Sequence, residues 1–501
     1  MSTLTSLARV LAAERGAAQP ACAVRHVHIS ERPLVFVPLA MAGEANAPLA
    51  AMIGDDPATP RLLTVPEPRD RDERFAFAAE LAAIILRYIE SYLTAEETVG
   101  GRNGQDARTR FAEAPQLLLA NPAGVAFTRL LGRSTRFRRT EGPYAVASTV
   151  PVLGRWLTFL ADRAEHPASS LTLPMTEALA LHWATGQSAA EDLNLGAILG
   201  WIDPPSGLSG SQAAAQAEDP VRCPPAGPAT DPTFDNEVLG SRLLAVRTAK
   251  ATGDGRAMHR AKAALAAALS SQLAPTWTLM WRAVELLRRL PAADHVATRW
   301  NQDKDAFTWH ANHLRDGGPP QPRRDGAVSA ARRLEGLERV QAEYAAQRAF
   351  DDPLVMAEHR MTGEAFAGTV TAAEPDRVDD SGRRRVLRPH ITVETGDVVL
   401  AGPGTALTSP ARPGQEARVI SATVSGGLTS VVLEIKGGMG RGLTPEPGSV
   451  AETGERVCYA TFSVGFQRMP EFPAPEDTPW THGGPPPEYV PADDDAREAW
   501  S

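Results

Sequence analysis

The chain is expected to be an α+β multidomain protein: a mainly helical body, a small N-terminal α+β unit, and a C-terminal β-barrel of oligonucleotide-binding-like or SH3-like kind. Three observations predict this. The hydrophobic period changes near residue 360, from helical spacing to about a hundred residues of strand-like alternation, which marks a domain boundary. The length of 501 residues exceeds the ~250–300 at which a single core stops growing. The composition, 43% hydrophobic and 22% charged, is globular, and no apolar run reaches the ~20 residues of a membrane span.

Residues 1–97 read as a small sheet plus a helix. Cys22–Ile29, Leu34–Pro38, Leu49–Ile53 and Arg61–Val65 alternate or run apolar as strands do. A helix from about Asp70 to Leu93 then brings Phe75, Phe77, Leu81, Ile84, Ile85 and Ile89 onto one face, enough to cover one side of that sheet. Residues 98–320 read as a helical domain in which Trp156, Trp183, Trp201, Trp277, Trp281, Trp300 and Trp309 are expected to anchor packing. Within it, residues 203–234 are rich in Pro, Gly, Ser, Gln and Ala and are expected to form a flexible linker. Residues 321–361 hold an amphipathic connecting helix, Ser329 to Phe350, with Leu334, Leu337, Val340 and Tyr344 as its apolar stripe.

Residues 362–464 carry the barrel, with strands expected at Phe366–Ala373, Arg384–Glu394, Asp397–Leu400, Gln415–Val424, Thr429–Lys436 and Arg456–Val464. Residues 465–501 form a Pro-rich acidic tail with no core of its own. Phe472, Trp480, Tyr489 and Trp500 punctuate it as expected partner-binding anchors.

Charge and cysteine content narrow the function classes. Cys22, Cys223 and Cys458 are odd in number and far apart, which excludes a disulfide framework or four-cysteine zinc site within one chain and suits a reducing cytoplasm. The N-terminus has no basic leader before an apolar core, so secretion is not expected. A net charge of −9 argues against coating nucleic acid with the whole surface, though a local basic face is compatible with it. None of Lys250, Lys262, Lys304 and Lys436 is followed by Ser or Thr, which excludes a P-loop ATPase.

No complete catalytic or cofactor motif is present, and no cofactor or metal is expected. Gly437-Gly-Met-Gly-Arg-Gly442 lacks dinucleotide-binding spacing and runs into Pro445, so it reads as a turn between barrel strands. The pairs His26/His28 and His310/His313 have no third ligand at diagnostic spacing. Glu434-Ile-Lys436 resembles the Glu-x-Lys half of the PD-(D/E)xK nuclease signature, in which the acid binds magnesium and the lysine activates water. That pattern also requires an upstream aspartate; here no Asp lies between Asp397 and Asp477, and Glu416 is the nearest upstream acid.

Arg383, Arg384, Arg385 and Arg388 lead into one strand, Arg418 lies on another and Arg441 on the glycine turn; in a barrel they would converge as a nucleic-acid-binding face. Phe366, Tyr459 and Phe462 are the candidate stacking platforms. The expected function is that of a cytoplasmic, non-enzymatic adaptor or accessory subunit of a nucleic-acid-processing assembly. Its expected partners are DNA or RNA and a protein, for example a helicase or other ATPase acting in trans; no membrane is expected. A divergent metal-dependent nuclease or hydrolase using Glu434, Lys436 and Glu416 is the alternative.

Overall fold

The chain is mixed α+β in a computed structural model that describes residues 3–44, 47–100, 107–323, 325–382, 384–464 and 471–472. It divides into two compact units, one built from Gly336 through the barrel with Cys22–Val24 added, the other from most of residues 5–335.

The larger unit is organised by a five-stranded sheet of order β3-β2-β1-β4-β5. Its strands are Leu34–Ala40 (β1), Pro48–Gly54 (β2), Arg61–Thr64 (β3), Leu117–Leu119 (β4) and Thr172–Pro174 (β5). The first three form an antiparallel meander, and β4 and β5 continue it in parallel with β1. Every residue of β1 is buried. Val35, Val37 and Leu39 pack with Ile198, Leu269 and Trp277, whereas Leu34, Phe36 and Ala40 pack with Leu81, Ile85 and Leu157. An apolar run without alternation is what a strand covered on both faces requires.

Arg71–Glu90 (α1) supplies Leu81 and Ile85, and its start is set by Asp70, whose side chain accepts from the amides of Asp72 and Glu73. Pro122–Thr135 (α2), Thr149–Ala164 (α3), Gly255–Arg289 (α4) and Val296–Arg315 (α5) complete the main helical layers.

Four expectations change here. The sheet does not end at residue 97, because β4 and β5 come from the stretch expected to be helical; three residues are too few to reveal a period of two. Helices cover both sides of the sheet, not one. Residues 203–234 are not structureless: Ser209 and Gln212 form a capping box that starts the helix Gly210–Glu218, and Ala229 bridges β1 at Ala40. Among the tryptophans, Trp156, Trp201, Trp277 and Trp300 are buried, but Trp309 is 67% exposed and stacks on His313.

Ala327–Asp351 (α6) contains the expected helix Ser329–Phe350, with Leu334 of its expected apolar stripe 58% exposed, and Pro353–Thr362 (α7) follows it. The Asp352 carboxylate starts α7 by accepting from the amide of Leu354 and also accepts from the amides of Ala23 and Val24.

Six strands then close a barrel: Ala365–Glu374 (β6), His390–Thr395 (β9), Leu428–Lys436 (β12), Arg412–Ser425 (β11), Ala406–Ser409 (β10) and Arg456–Ala460 (β13), in that order around it. An oligonucleotide-binding barrel has five strands. A short hairpin, Val378–Asp379 (β7) with Val386–Leu387 (β8), interrupts the sequence between β6 and β9. Along β12, Val431, Leu433 and Ile435 point inward while Val432, Glu434 and Lys436 alternate outward, as a period of two demands. Asp397–Leu400 is not a strand. The Asp397 carboxylate instead holds Arg360 and the amide of Ala367, leaving Val398 and Leu400 exposed, and Ala406–Ser409 takes the place in the barrel.

Candidate anion-binding cleft on the barrel

One end of the barrel is shaped by two turns. The hairpin β7–β8 closes around Asp379, which accepts hydrogen bonds from the amide and hydroxyl of Ser381; those bonds hold its carboxyl below the ordinary range. The segment leaving β12 turns at Gly437, Gly438 and Gly440, all with positive φ. A Cβ on Gly438 would lie 2.8 Å from Cγ of Gln415 and 3.0 Å from the carbonyl oxygen of Gly414, so glycine is required there for space as well as conformation. Met439 is buried in the barrel core and fixes this turn to the fold.

Between the turns lies a cleft of about 230 Å³, lined by Arg385, Arg388 and Arg441, the glycines and the apolar side chains of Val386, Leu387 and Leu443. That volume is below the roughly 300–1,000 Å³ of sites that enclose a cofactor-sized ligand.

Some arginines of this unit lie within 4 Å of a carboxylate. Arg360 is bonded to Asp397 at 2.7 Å, Arg412 to Glu455 at 2.8 Å, Arg377 to Glu434 at 3.4 Å, and Arg418 lies 3.9 Å from Glu416. Arg384, Arg385, Arg388 and Arg441 have no carboxylate partner among the described residues. Arg388 donates to the carbonyl of Leu387, which fixes its guanidinium without neutralising it. Three cations without a carboxylate in salt-bridge range among the described residues, and a turn of glycines, thus surround one concavity, an arrangement that attracts an anion and admits its close approach to the backbone.

The other expected site residues are distributed differently. Arg418 stands on β11 opposite Glu434, which in turn pairs in register with His390 on β9. Arg383, Trp480, Tyr489 and Trp500 lie outside the described residues. Phe472 is described, with the Arg332 guanidinium 5.7 Å from its ring centroid. Glu434 is 16% exposed and has Arg377 at 3.4 Å, with His390 and Lys436 each at 3.7 Å. Glu416 sits opposite Lys436, and among the described residues no group of three metal-ligating side chains includes Glu434 or Glu416.

The expected stacking platforms cannot meet a base: Phe366 and Tyr459 are buried in the barrel, where burial pushes the Tyr459 phenol up to about 12, and Phe462 packs on Phe350 and His359. Of the histidines, His28 stacks on Trp300 at 4.0 Å and His310 on Phe159 at 4.2 Å. Compared with family models, curated proteins and solved structures, the chain matches none.

Proposed function

We propose that the barrel is a sequence-independent phosphate contact and that the protein serves as a non-enzymatic accessory subunit of a nucleic-acid-processing assembly. The observation that carries this reading is that Arg385, Arg388 and Arg441 line one cleft with no carboxylate in salt-bridge range among the described residues, whereas Arg360, Arg377 and Arg412 are each paired with one. Unpaired guanidiniums repel one another, and folding alone gains nothing from placing them together. A phosphate relieves that repulsion and takes bidentate hydrogen bonds from such groups.

Among the described residues no aromatic side chain lines the cleft, which favours contact with the backbone over contact with bases, because readout of single-stranded bases relies on stacking. Metal-dependent hydrolysis at Glu434 is the weaker reading, since its carboxylate is surrounded by cationic or ionisable nitrogen groups that compete with a metal ion.

The test is binding of fluorescent oligonucleotides to the full chain across a salt series. Replacing Arg385, Arg388 and Arg441 together by Ala is expected to weaken binding and to reduce the slope of log K against log salt by about 2, given roughly 0.7 counterions released per single-strand phosphate. An unchanged slope in that variant removes the cleft from the contact. Magnesium- or manganese-dependent cutting of DNA that disappears in Glu434→Gln would replace the accessory reading with the nuclease one.

A further inference from the structure

The larger unit carries a second surface of nucleic-acid character that composition conceals. After α2 the chain reads Arg136-Phe-Arg-Arg-Thr-Glu-Gly-Pro-Tyr-Ala-Val146. Its loop is fastened at both ends: the amide of Val146 donates to the carbonyl of Arg139 at 3.0 Å, and the buried Val146 side chain packs with Ala78 and Val150. Within it the amide of Ala145 donates to the carbonyl of Gly142, closing a turn with Pro143 and Tyr144 at its centre. Gly142 has φ of +90° and Pro143 restricts its own φ, so Tyr144 is displayed on a braced turn.

Tyr144 is 73% exposed. Arg71 donates to the carbonyl of Tyr144 and to the Asp72 carboxylate, each at 2.7 Å, and its guanidinium lies 5.7 Å from the Tyr144 ring centroid and 4.7 Å from that of Phe75, so it braces the turn. Arg138 lies 5.1 Å from the Phe75 centroid, and Phe137 has Arg136 and Arg323 at 4.8 and 5.4 Å. Each distance is within the ~6 Å over which a ring attracts a cation. The guanidiniums are therefore arrayed by aromatic rings on this surface, Phe75 and Phe137 each have two cations against them, and Tyr144 keeps most of its ring open to solvent.

We propose that Tyr144 is a base-stacking platform for single-stranded nucleic acid, with the half-exposed Arg138 and the exposed Arg139 drawing in the flanking phosphates. Cationic side chains interleaved with an exposed ring suit a polymer that alternates anionic and planar groups. A duplex keeps its bases stacked on one another and has none to offer. This contact is independent of the barrel cleft and uses base faces, which the cleft does not.

The experiment measures anisotropy of labelled oligothymidylate and of a labelled duplex with the full chain, for Tyr144→Ala, Tyr144→Phe and the Arg385/Arg388/Arg441→Ala variant. Tyr144→Ala is expected to weaken single-strand binding about tenfold and to leave duplex binding unchanged, while Tyr144→Phe binds as the parent does. The cleft variant is expected to weaken binding of both ligands, which separates the two contacts. The proposal is overturned if Tyr144→Ala binds oligothymidylate normally, if Tyr144→Phe loses as much as Tyr144→Ala, or if strand and duplex weaken equally. It is also overturned, in favour of an acidic protein partner, if Tyr144→Ala loses binding to polyglutamate but not to oligothymidylate.

Discussion

The two units place their charges in opposite ways. In the sheet unit a carboxylate is drawn inside and enclosed by partners: Asp303 is 1% exposed and accepts from Arg163 at 2.8 Å, from the Ser169 hydroxyl at 2.7 Å and from the amide of Ser170 at 2.6 Å. In the barrel, the core cluster is aliphatic and aromatic, and the charged groups alternate outward, with a set of arginines left unneutralised. A buried charge must be enclosed by partners or it destabilises the fold, whereas a surface arginine without a partner adds little to stability. Buried charge therefore reports how a unit is held together, and unpaired surface charge reports what it is built to meet.

The largest test of this contrast is Asp303→Ala. Removing the carboxylate strands Arg163, which is 14% exposed, and is expected to lower the stability of the sheet unit by about 3–5 kcal/mol. Urea unfolding followed by tryptophan fluorescence reads this directly, since no tryptophan lies within residues 336–464. An unchanged midpoint would show that the enclosed charge does not hold the unit.

Acid is expected to act on the same unit. Burial, with help from Arg25 and Lys304, lowers His28 to about 4, and burial with Arg155 and His313 lowers His310 to about 3. An unfolded histidine titrates near 6.5. Between these values the unfolded chain binds more protons, so the stability from neutral, buried rings is complete above about pH 6.5 and declines as pH falls toward 4. Melting temperatures from pH 7.5 to 5 should fall for the tryptophan signal, and His28→Phe with His310→Phe should flatten that decline. A slope that survives both substitutions assigns the acid lability to other groups.

In the barrel the paired and unpaired arginines should separate by readout. Arg412→Ala, which strands Glu455, is expected to lower the melting temperature with little change in oligonucleotide affinity. The Arg385/Arg388/Arg441→Ala variant should do the reverse, losing roughly tenfold or more in affinity, since each phosphate contact carries its own counterion release. Equal effects of both on affinity would erase the distinction.

The smallest expected effect is that of Gly438→Ala, whose φ of +65° costs an L-residue about 1–2 kcal/mol in addition to the contact with Gln415. It should loosen the glycine turn and lower barrel stability modestly, measured by circular dichroism. A variant as stable as the parent would show that the turn has room to relax.

Local pattern was legible without a structure wherever neighbours along the chain carry it. Alternation placed Thr429–Lys436 within the strand Leu428–Lys436, helical spacing placed the helix Ser329–Phe350 within Ala327–Asp351, and the glycine run did become a turn. Arg385, Arg388 and Arg441 line one cleft, whereas Arg418, grouped with them on sequence, stands on another strand near Glu416, because strand adjacency is a tertiary property. Tertiary structure decided the rest, because the deciding partner lies far away in sequence. Three-residue strands such as Leu117–Leu119 carry no period of their own and become strands only by pairing with Leu34–Ala40. Whether Phe366 stacks on a base or fills a core depends on which side of a closing barrel it faces, and Arg412 is neutralised by Glu455, forty-three positions on. Tyr144 gave no signal in composition: its exposure follows from a turn braced at Arg139 and Val146 and from Arg71, which reaches it from the start of another helix.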